Sequence, residues 1–328
     1  MKQAEAIRRV QRFVSLGRRP TLVIVSESTA NPPAAPSPSP APKPEPIVEV
    51  RNLVKRFGSQ TVLSGINLEV YPGETLVIMG GSGCGKSTLL RCLIGSLIAE
   101  EGSVRLFGEE VAKLKPKDVD ELRKKFGILF QSGALYNSMS IADNVALPLR
   151  ELTNISEEVI DITVKMKLEL VGLRADADKL PSQISGGMKK RAGLARAMAL
   201  DPRILFYDEP SAGLDPITSS EIDRLIVHMT KGLGVTSVVV THEMDSAFTI
   251  ADRMVMLDRG RVLRIDTRDW FSNLRSVPPE EVSKLSADER FIRQFLRGEP
   301  TADEQRDILG YERDLLKAGP RRIWPFGR

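Results

Sequence analysis

The sequence predicts an α/β domain built on a mostly parallel sheet covered by helices on both faces, and three observations predict it. Apolar segments at residues 74–80, 127–131, 203–208 and 236–242 have strand length, and each ends in polar or charged residues. Helical patterns separate them, at residues 86–97, 140–180, 185–200 and 216–233. Strands alternating with helices form parallel crossovers, which place helices on both faces of one sheet. Finally, a glycine-rich turn, Gly80 to Ser87, joins the first of these strands directly to the helix that follows. Ligands of such sheets bind beyond the carboxyl ends of the strands, where this chain collects its polar residues.

In chain order, residues 1–46 do not read as core. The stretch 31–46 carries eight prolines among alanine and serine, a composition that favours a semi-rigid, solvated linker. Before it, Ile7, Val10 and Val14 share one helical face with Phe13 at its edge, opposite Arg8, Arg9 and Arg12. Three readings stay open for this segment: a short basic amphipathic helix on a membrane surface or partner, a frayed tail, or a transit peptide. The folded domain spans residues 47–267 and opens with a loosely alternating strand at 47–53. Residues 268–328 form a polar C-terminal extension, helical or irregular, that ends in the basic-aromatic run 321–326.

Composition excludes several classes. Hydrophobic residues make up 41% and charged residues 27%, an ordinary globular balance. No run approaches the roughly 18 apolar residues of a membrane-spanning helix, so a membrane role must go through a partner or a surface contact. The two cysteines, Cys84 and Cys92, supply no disulfide framework and point to a reducing compartment. With only His228 and His242, a His-based metal site has almost no material; His228 has no motif context and reads as structural or exposed. The net charge of +4 without a concentrated basic face argues against a nucleic-acid partner.

The chemistry begins at Gly80-Gly81-Ser82-Gly83-Cys84-Gly85-Lys86-Ser87, which fits GxxxxGK[ST], followed by Thr88. Glycines let successive backbone N–H groups turn inward around a phosphate, and the helix N-terminus adds partial positive charge. In this pattern Lys86 reaches the β- and γ-phosphates of a nucleotide and Ser87 ligates Mg²⁺. About 120 residues later an apolar strand delivers Asp208 and Glu209 at its tip. The pair suits Mg²⁺ binding by Asp208 and activation of an attacking water by Glu209. Alone, such a pair is more often a strand running into a solvated turn. Some twenty residues before it, Ile184-Ser185-Gly186-Gly187-Met188 opens a helix. Ser185, Gly186 and Gly187 read either as a plain helix cap or as a second phosphate-binding device.

The last string resembles the LSGGQ signature of ABC ATPases, and with it the chain is identified as a member of that family over about residues 47–265. The resemblance implies a P-loop ABC ATPase fold, with an antiparallel β edge on the parallel core and an inserted helical subdomain at about 135–195. It implies two copies arranged head to tail, each ATP held by the P-loop of one and the signature of the other. It assigns Phe57 to stacking on adenine, Gln131 to the Q-loop that touches Mg²⁺ and senses a permease, and residues 211–215, ending in Asp215, to the D-loop at the dimer interface. His242 matches the switch histidine at the γ-phosphate.

Within that family, residues 130–136 and 143–150, the Met188-Lys189-Lys190-Arg191 continuation and residues 291–298 are similar to the Mla/Mce-type lipid-transport ATPases. That likeness implies phospholipid transport with a MlaE-like permease, an MCE-domain substrate-binding protein and, in some systems, a STAS-domain protein. It implies a place on the cytoplasmic face of the inner membrane. On this reading Gly133, Ala134, Leu135 and Tyr136 form a small apolar floor for the permease's coupling helix. A transport ATPase for another cargo, such as an amino acid or an ion, is the alternative. A soluble ABC ATPase of ribosomes or DNA fits less well, because the chain has one cassette and no sustained heptads.

Overall fold

The computed structural model describes residues 44–299. The basic amphipathic stretch, most of the proline-rich segment and the 321–326 run lie outside the described residues. Among the described residues, nineteen α-helices and β-strands carry the fold. In chain order they are β1 (Val48–Phe57), β2 (Gln60–Val70), β3 (Thr75–Met79), α1 (Lys86–Leu93), β4 (Glu101–Leu106), β5 (Glu109–Glu110), α2 (Pro116–Lys124), β6 (Phe126–Leu129), α3 (Ile141–Leu152) and α4 (Glu157–Leu170). There follow α5 (Gly186–Ala197), β7 (Ile204–Asp208), α6 (Pro216–Val227), β8 (Thr236–Val240), α7 (Met244–Ile250), β9 (Arg253–Asp258), β10 (Arg261–Thr267), α8 (Arg268–Ser276) and α9 (Ala287–Leu296).

The strands form two sheets. The larger has the order β10-β9-β3-β8-β7-β6, parallel except for the antiparallel β9–β10 edge. The smaller, β2-β1-β4-β5, is antiparallel throughout. The parallel core and the antiparallel edge thus match expectation. β3 is the central strand, and all five of its residues are buried, as a parallel strand covered on both faces requires. Its side chains alternate between two cores because successive residues of a strand point to opposite faces. Leu76 and Ile78 join Leu53, Leu63, Ile66 and Leu89 between the two sheets. Val77 and Met79 join the helices on the other side, with Val145, Leu168, Leu194 and Ile226.

Helix ends are set by local chemistry. Ser140, Ser185, Asp215, Thr267 and Ser286 each accept a backbone N–H at the start of α3, α5, α6, α8 and α9. α6 runs on into a π-turn over His228–Gly232, and His228 is exposed there. α3, α4 and α5 pack on one another and form the helical lobe. Beyond the sheet, Phe271 and Leu274 of α8 and Ile292 and Leu296 of α9 are buried in the same core as that lobe.

Several strand boundaries differ from expectation: β1 runs on to Phe57, β8 stops at Val240 rather than at His242, and β6 is also shorter. β6 stops at Leu129 rather than at Gln131, because Gly133 N–H turns back to the Phe130 carbonyl at 2.8 Å. Gln131 therefore stands exposed in a turn just beyond the sheet.

Candidate nucleotide site

The turn between β3 and α1 has a shape that only its glycines allow. Gly80, Gly83 and Gly85 have φ of 155°, 75° and 108°. A Cβ on Gly80 would lie 2.1 Å from the Leu257 carbonyl oxygen and 2.7 Å from Cys84 Sγ; one on Gly85 would lie 2.8 Å from Leu63. The backbone is thus pressed against β9 and β2, and a glycine-rich turn of this kind, with backbone N–H groups as donors, has the chemistry that suits phosphate. Lys86 is buried, and its ammonium donates to the carbonyls of Gly80 and Gly81 at 2.8 and 2.9 Å, across the mouth of this turn. Cys84 is buried too, and burial pushes its thiol pKa up.

β7 lies two strands away from β3 and ends at the same level. There Ser87 Oγ donates to Asp208 Oδ1 at 3.3 Å, uniting residues 121 positions apart. Burial pushes the Asp208 carboxyl above the usual range, the Ser87 hydroxyl opposes this and neighbouring Glu209 adds to it. A half-buried carboxylate and an exposed hydroxyl side by side are hard oxygen donors of the kind Mg²⁺ takes, so the residues present fit that ion.

Glu209 follows with φ 50°, a left-handed conformation unusual for a residue with a side chain. Its N–H donates to the Val240 carbonyl of β8 at 2.9 Å. Its carboxylate faces His242: Oε1 lies 2.9 Å from His242 Nδ1, and Oε2 accepts the His242 backbone N–H at 3.3 Å. Glu209 is largely covered whereas the imidazole is 59% exposed. The arrangement offers one carboxylate, held from two directions, beside an exposed imidazole that a ligand can reach.

The remaining expected residues are placed elsewhere. Phe57 ends β1 with half its surface exposed, and the Lys55 ammonium sits 5.2 Å from its ring centroid. Glu100 accepts from Lys55 Nζ at 2.7 Å and from Arg56 N–H at 2.6 Å, which fixes the strand end that presents the ring. Ser185 caps its own helix, accepting from Met188 N–H at 3.2 Å, and together with Gly186 it is exposed. Gly187 is buried against Thr218. Asp215 caps α6 through Ile217, Thr218 and the Thr218 hydroxyl, and the hydroxyl above all holds its carboxyl below the usual range.

Of the residues expected to form an apolar floor, Gly133 is buried, Leu135 is half-buried, and Ala134 and Tyr136 are exposed. A Cβ on Gly133 would lie 2.9 Å from the Lys189 carbonyl oxygen, and Arg196 donates to the carbonyls of Gly133 and Ala134 at 3.0 and 2.8 Å, tying that loop to α5. The apolar groove lies beside it, a cavity of about 360 Å³ lined by Ile128, Phe130, Pro148, Leu152 and Leu200 among others. Sequence reasoning also missed Asn144. It is fully buried and bonds to the backbone of Tyr136, Met139 and Ser140, so it shapes the loop after Gln131; its polarity on the apolar side of α3 was the available signal.

Comparison with known proteins extends this picture. The family described as ABC transporter matches residues 63–212. The chain is 40% identical over 253 residues to the intermembrane phospholipid transport system ATP-binding protein MlaF of Haemophilus influenzae, covering 77% of this chain and 91% of that protein. It is 41% identical over 278 residues to the probable ribonucleotide transport ATP-binding protein mkl of Mycobacterium leprae, covering 83% and 76%. Among solved structures, the dimeric post-hydrolysis state of the ATP-binding cassette MJ0796 bound to ADP and Pi aligns with a TM-score of 0.63 at 31% identity, covering 67% of this chain and 98% of that one. The cbiO1 subunit of Clostridium perfringens, part of the ABC transporter complex cbiONQ, aligns with a TM-score of 0.66 at 29% identity, covering 76% and 99%.

Proposed function

Because the chain belongs to the ABC transporter family of ATP-binding subunits, and is therefore an ATPase, we propose that two copies of it close on two ATP molecules to drive a membrane permease that moves phospholipid between envelope membranes. The observation that carries the two-copy arrangement is a division of the site residues. Lys86 and Ser87 follow β3, Ser87 bonds to Asp208 at the end of β7, and Glu209 bonds to His242 just past the ends of β7 and β8. Ser185 and Gly186, at the N-terminus of α5, stay outside these contacts and open to solvent. A helix N-terminus with free donors binds anionic phosphate, and a second copy supplies the phosphate it needs.

In the proposed mechanism the backbone of residues 80–88 wraps the phosphates, and Lys86 exchanges its two carbonyls for the β- and γ-phosphate oxygens. Phe57 stacks on the adenine from the face opposite Lys55. Ser87, Asp208 and Gln131 would hold Mg²⁺, which would neutralise phosphate charge when bound. The Glu209 carboxylate takes a proton from the attacking water as the water adds to the γ-phosphorus and the bond from that phosphorus to the bridging β-phosphate oxygen breaks, leaving ADP and phosphate. His242 donates a hydrogen bond to the γ-phosphate from its exposed side. Asp215 sets the α6 end of the turn that crosses between copies.

For the membrane side, the groove lined by Phe130, Pro148 and Leu152 lies beside Gln131 and offers an apolar seat for a coupling helix of a MlaE-like permease. An MCE-domain protein completes the transporter. Val159, Ile162 and Met166 of α4 are exposed on one face, an apolar surface of the sort a STAS-domain protein would cover. No helix among the described residues is long and apolar enough to cross a membrane; on this reading the protein works at the cytoplasmic face of the inner membrane, held there by its permease.

The cargo rests on the MlaF relatives and on residues 130–136 and 143–150. Mild-detergent capture of the tagged full chain, with mass spectrometry of proteins and lipids, tests it. A MlaE-like permease and an MCE-domain protein recovered with phospholipid support the assignment. A permease of another type, or one that carries ribonucleotide, amino acid or ion, removes the lipid assignment and leaves the ATPase residues in their roles.

A further inference from the structure

Lys190 is buried, 5% exposed, on α5. Taking an ammonium out of water is costly unless its protons find acceptors. Here it donates to two backbone carbonyls on a different segment, Ala212 at 2.7 Å and Glu209 at 3.2 Å. Burial lowers the pKa of this ammonium, and the carboxylates of Glu243 and Glu209 work in the opposite direction. Hydrophobic packing at this position would avoid the desolvation cost altogether, so the retained charge is explained by what it holds.

What it holds is strained. Glu209 sits at φ 50°, in a region that residues with a side chain occupy only when their surroundings over-determine them. Three hydrogen bonds do so: Glu209 N–H to Val240, Ala212 N–H back to the Glu209 carbonyl at 3.3 Å, and Lys190 to that same carbonyl. The turn they enclose is not fully satisfied, since the buried Ser211 hydroxyl has no partner. Lys190 is thus a lever from α5 onto the backbone that aims the Glu209 carboxylate.

We propose that Lys190 is a positioning residue for hydrolysis: it fixes the Glu209–Ala212 turn from the helix whose N-terminus, Ser185 and Gly186, reads the other ATP of the dimer. The proposal rests on the two-copy reading above. Each chain then joins one nucleotide site to the other through five residues of a single rigid helix, and a shift of α5 on binding the partner's phosphate reaches Glu209 of its own site directly. No substrate contact is required of Lys190.

The test compares the full chain with Lys190→Met, which keeps the apolar stem and removes the donors, and Lys190→Arg, which restores them. Expected for Lys190→Met are ATP affinity within about twofold of the unmutated chain, a kcat lower by about 10- to 100-fold as for a misaimed group, and a Hill coefficient for ATP that falls toward 1; Lys190→Arg recovers a large part of kcat and of the cooperativity. Equal loss of ATP affinity and kcat in Lys190→Met, or a normal kcat, overturns the proposal. If Lys190→Met does not fold, Lys190→Gln, which keeps a shorter donor, is read by the same split. Failure of the two-copy reading looks different: the unmutated chain itself then shows a Hill coefficient of 1 and no ATP-dependent dimer by light scattering.

Discussion

Glu209 shows how much of this site turns on one side chain. It lies in a left-handed conformation, which costs on the order of 1–3 kcal/mol, yet faces His242 Nδ1 at 2.9 Å. Glu209→Gln is expected to keep ATP binding, to lower turnover by about 10²- to 10⁴-fold, and to accumulate an ATP-dependent dimer, checked by phosphate release and by size-exclusion chromatography. Near-normal turnover would remove Glu209 as the base. Phe57→Ala is expected to weaken ATP by about three- to tenfold, the worth of one aromatic stack, and to leave inorganic triphosphate unchanged in a competition assay; equal loss for both would contradict stacking. Cys92 reads out the core between the sheets: burial pushes its thiol up to about 11, so only about one in a thousand is thiolate at pH 8. Its modification by a maleimide should rise about tenfold per pH unit from 8 to 10, and a rate that levels off above about pH 9 would mean a thiol of ordinary pKa. The P-loop lysine and the acidic pair were legible as candidates from motif spacing, and the histidine from the family resemblance. Asn144 and Lys190 were not, because their partners are backbone groups of turns whose path no motif specifies.

At the scale of elements, the apolar parallel strands were legible because they are buried on both faces and read as continuous runs, as β3, β7 and β8 do. The antiparallel strands were read poorly. β1 was seen only in its first half, since its pairing with β2 shifts register between Val50 and Leu53, Leu53 and Lys55, and Lys55 and Arg56, and each bulge breaks the period of two. The seams between elements are tight where glycine permits. A Cβ on Gly127 of β6 would lie 2.1 Å from the Ala197 carbonyl oxygen of α5 and 2.7 Å from Leu205 of β7. Gly127→Ala is therefore expected to destabilise the fold by about 1–3 kcal/mol, seen as a lower urea midpoint with an unchanged slope. An unshifted midpoint would show that α5 moves freely on the sheet. Since α5 also carries Ser185 and Lys190, the same variant tests how far its seat on β6 matters to turnover.

Across the whole molecule, β3 divides two cores and the P-loop leaves it at their common edge. α8 and α9 close the core on the helical side with Phe271, Leu274, Ile292 and Leu296. Each such side chain contributes about 1.5–3 kcal/mol by burial, so a chain ending at Thr267 is expected to lose several kcal/mol and to aggregate on expression, judged by soluble yield and melting temperature. A soluble truncation with an unchanged melting temperature would show that these helices only decorate the core. By itself the sequence determined the pieces that depend on neighbours in the chain: the glycine turn into α1, the serine and aspartate caps, and the runs of buried strands, all decided within a few residues by backbone sterics and local hydrogen bonds. Only the tertiary structure decided which pieces meet. Ser87 reaches Asp208 across 121 positions and Lys190 reaches Ala212 across 22, and such pairings follow from strand order and helix seating, which burial of the two cores sets collectively and no local pattern records.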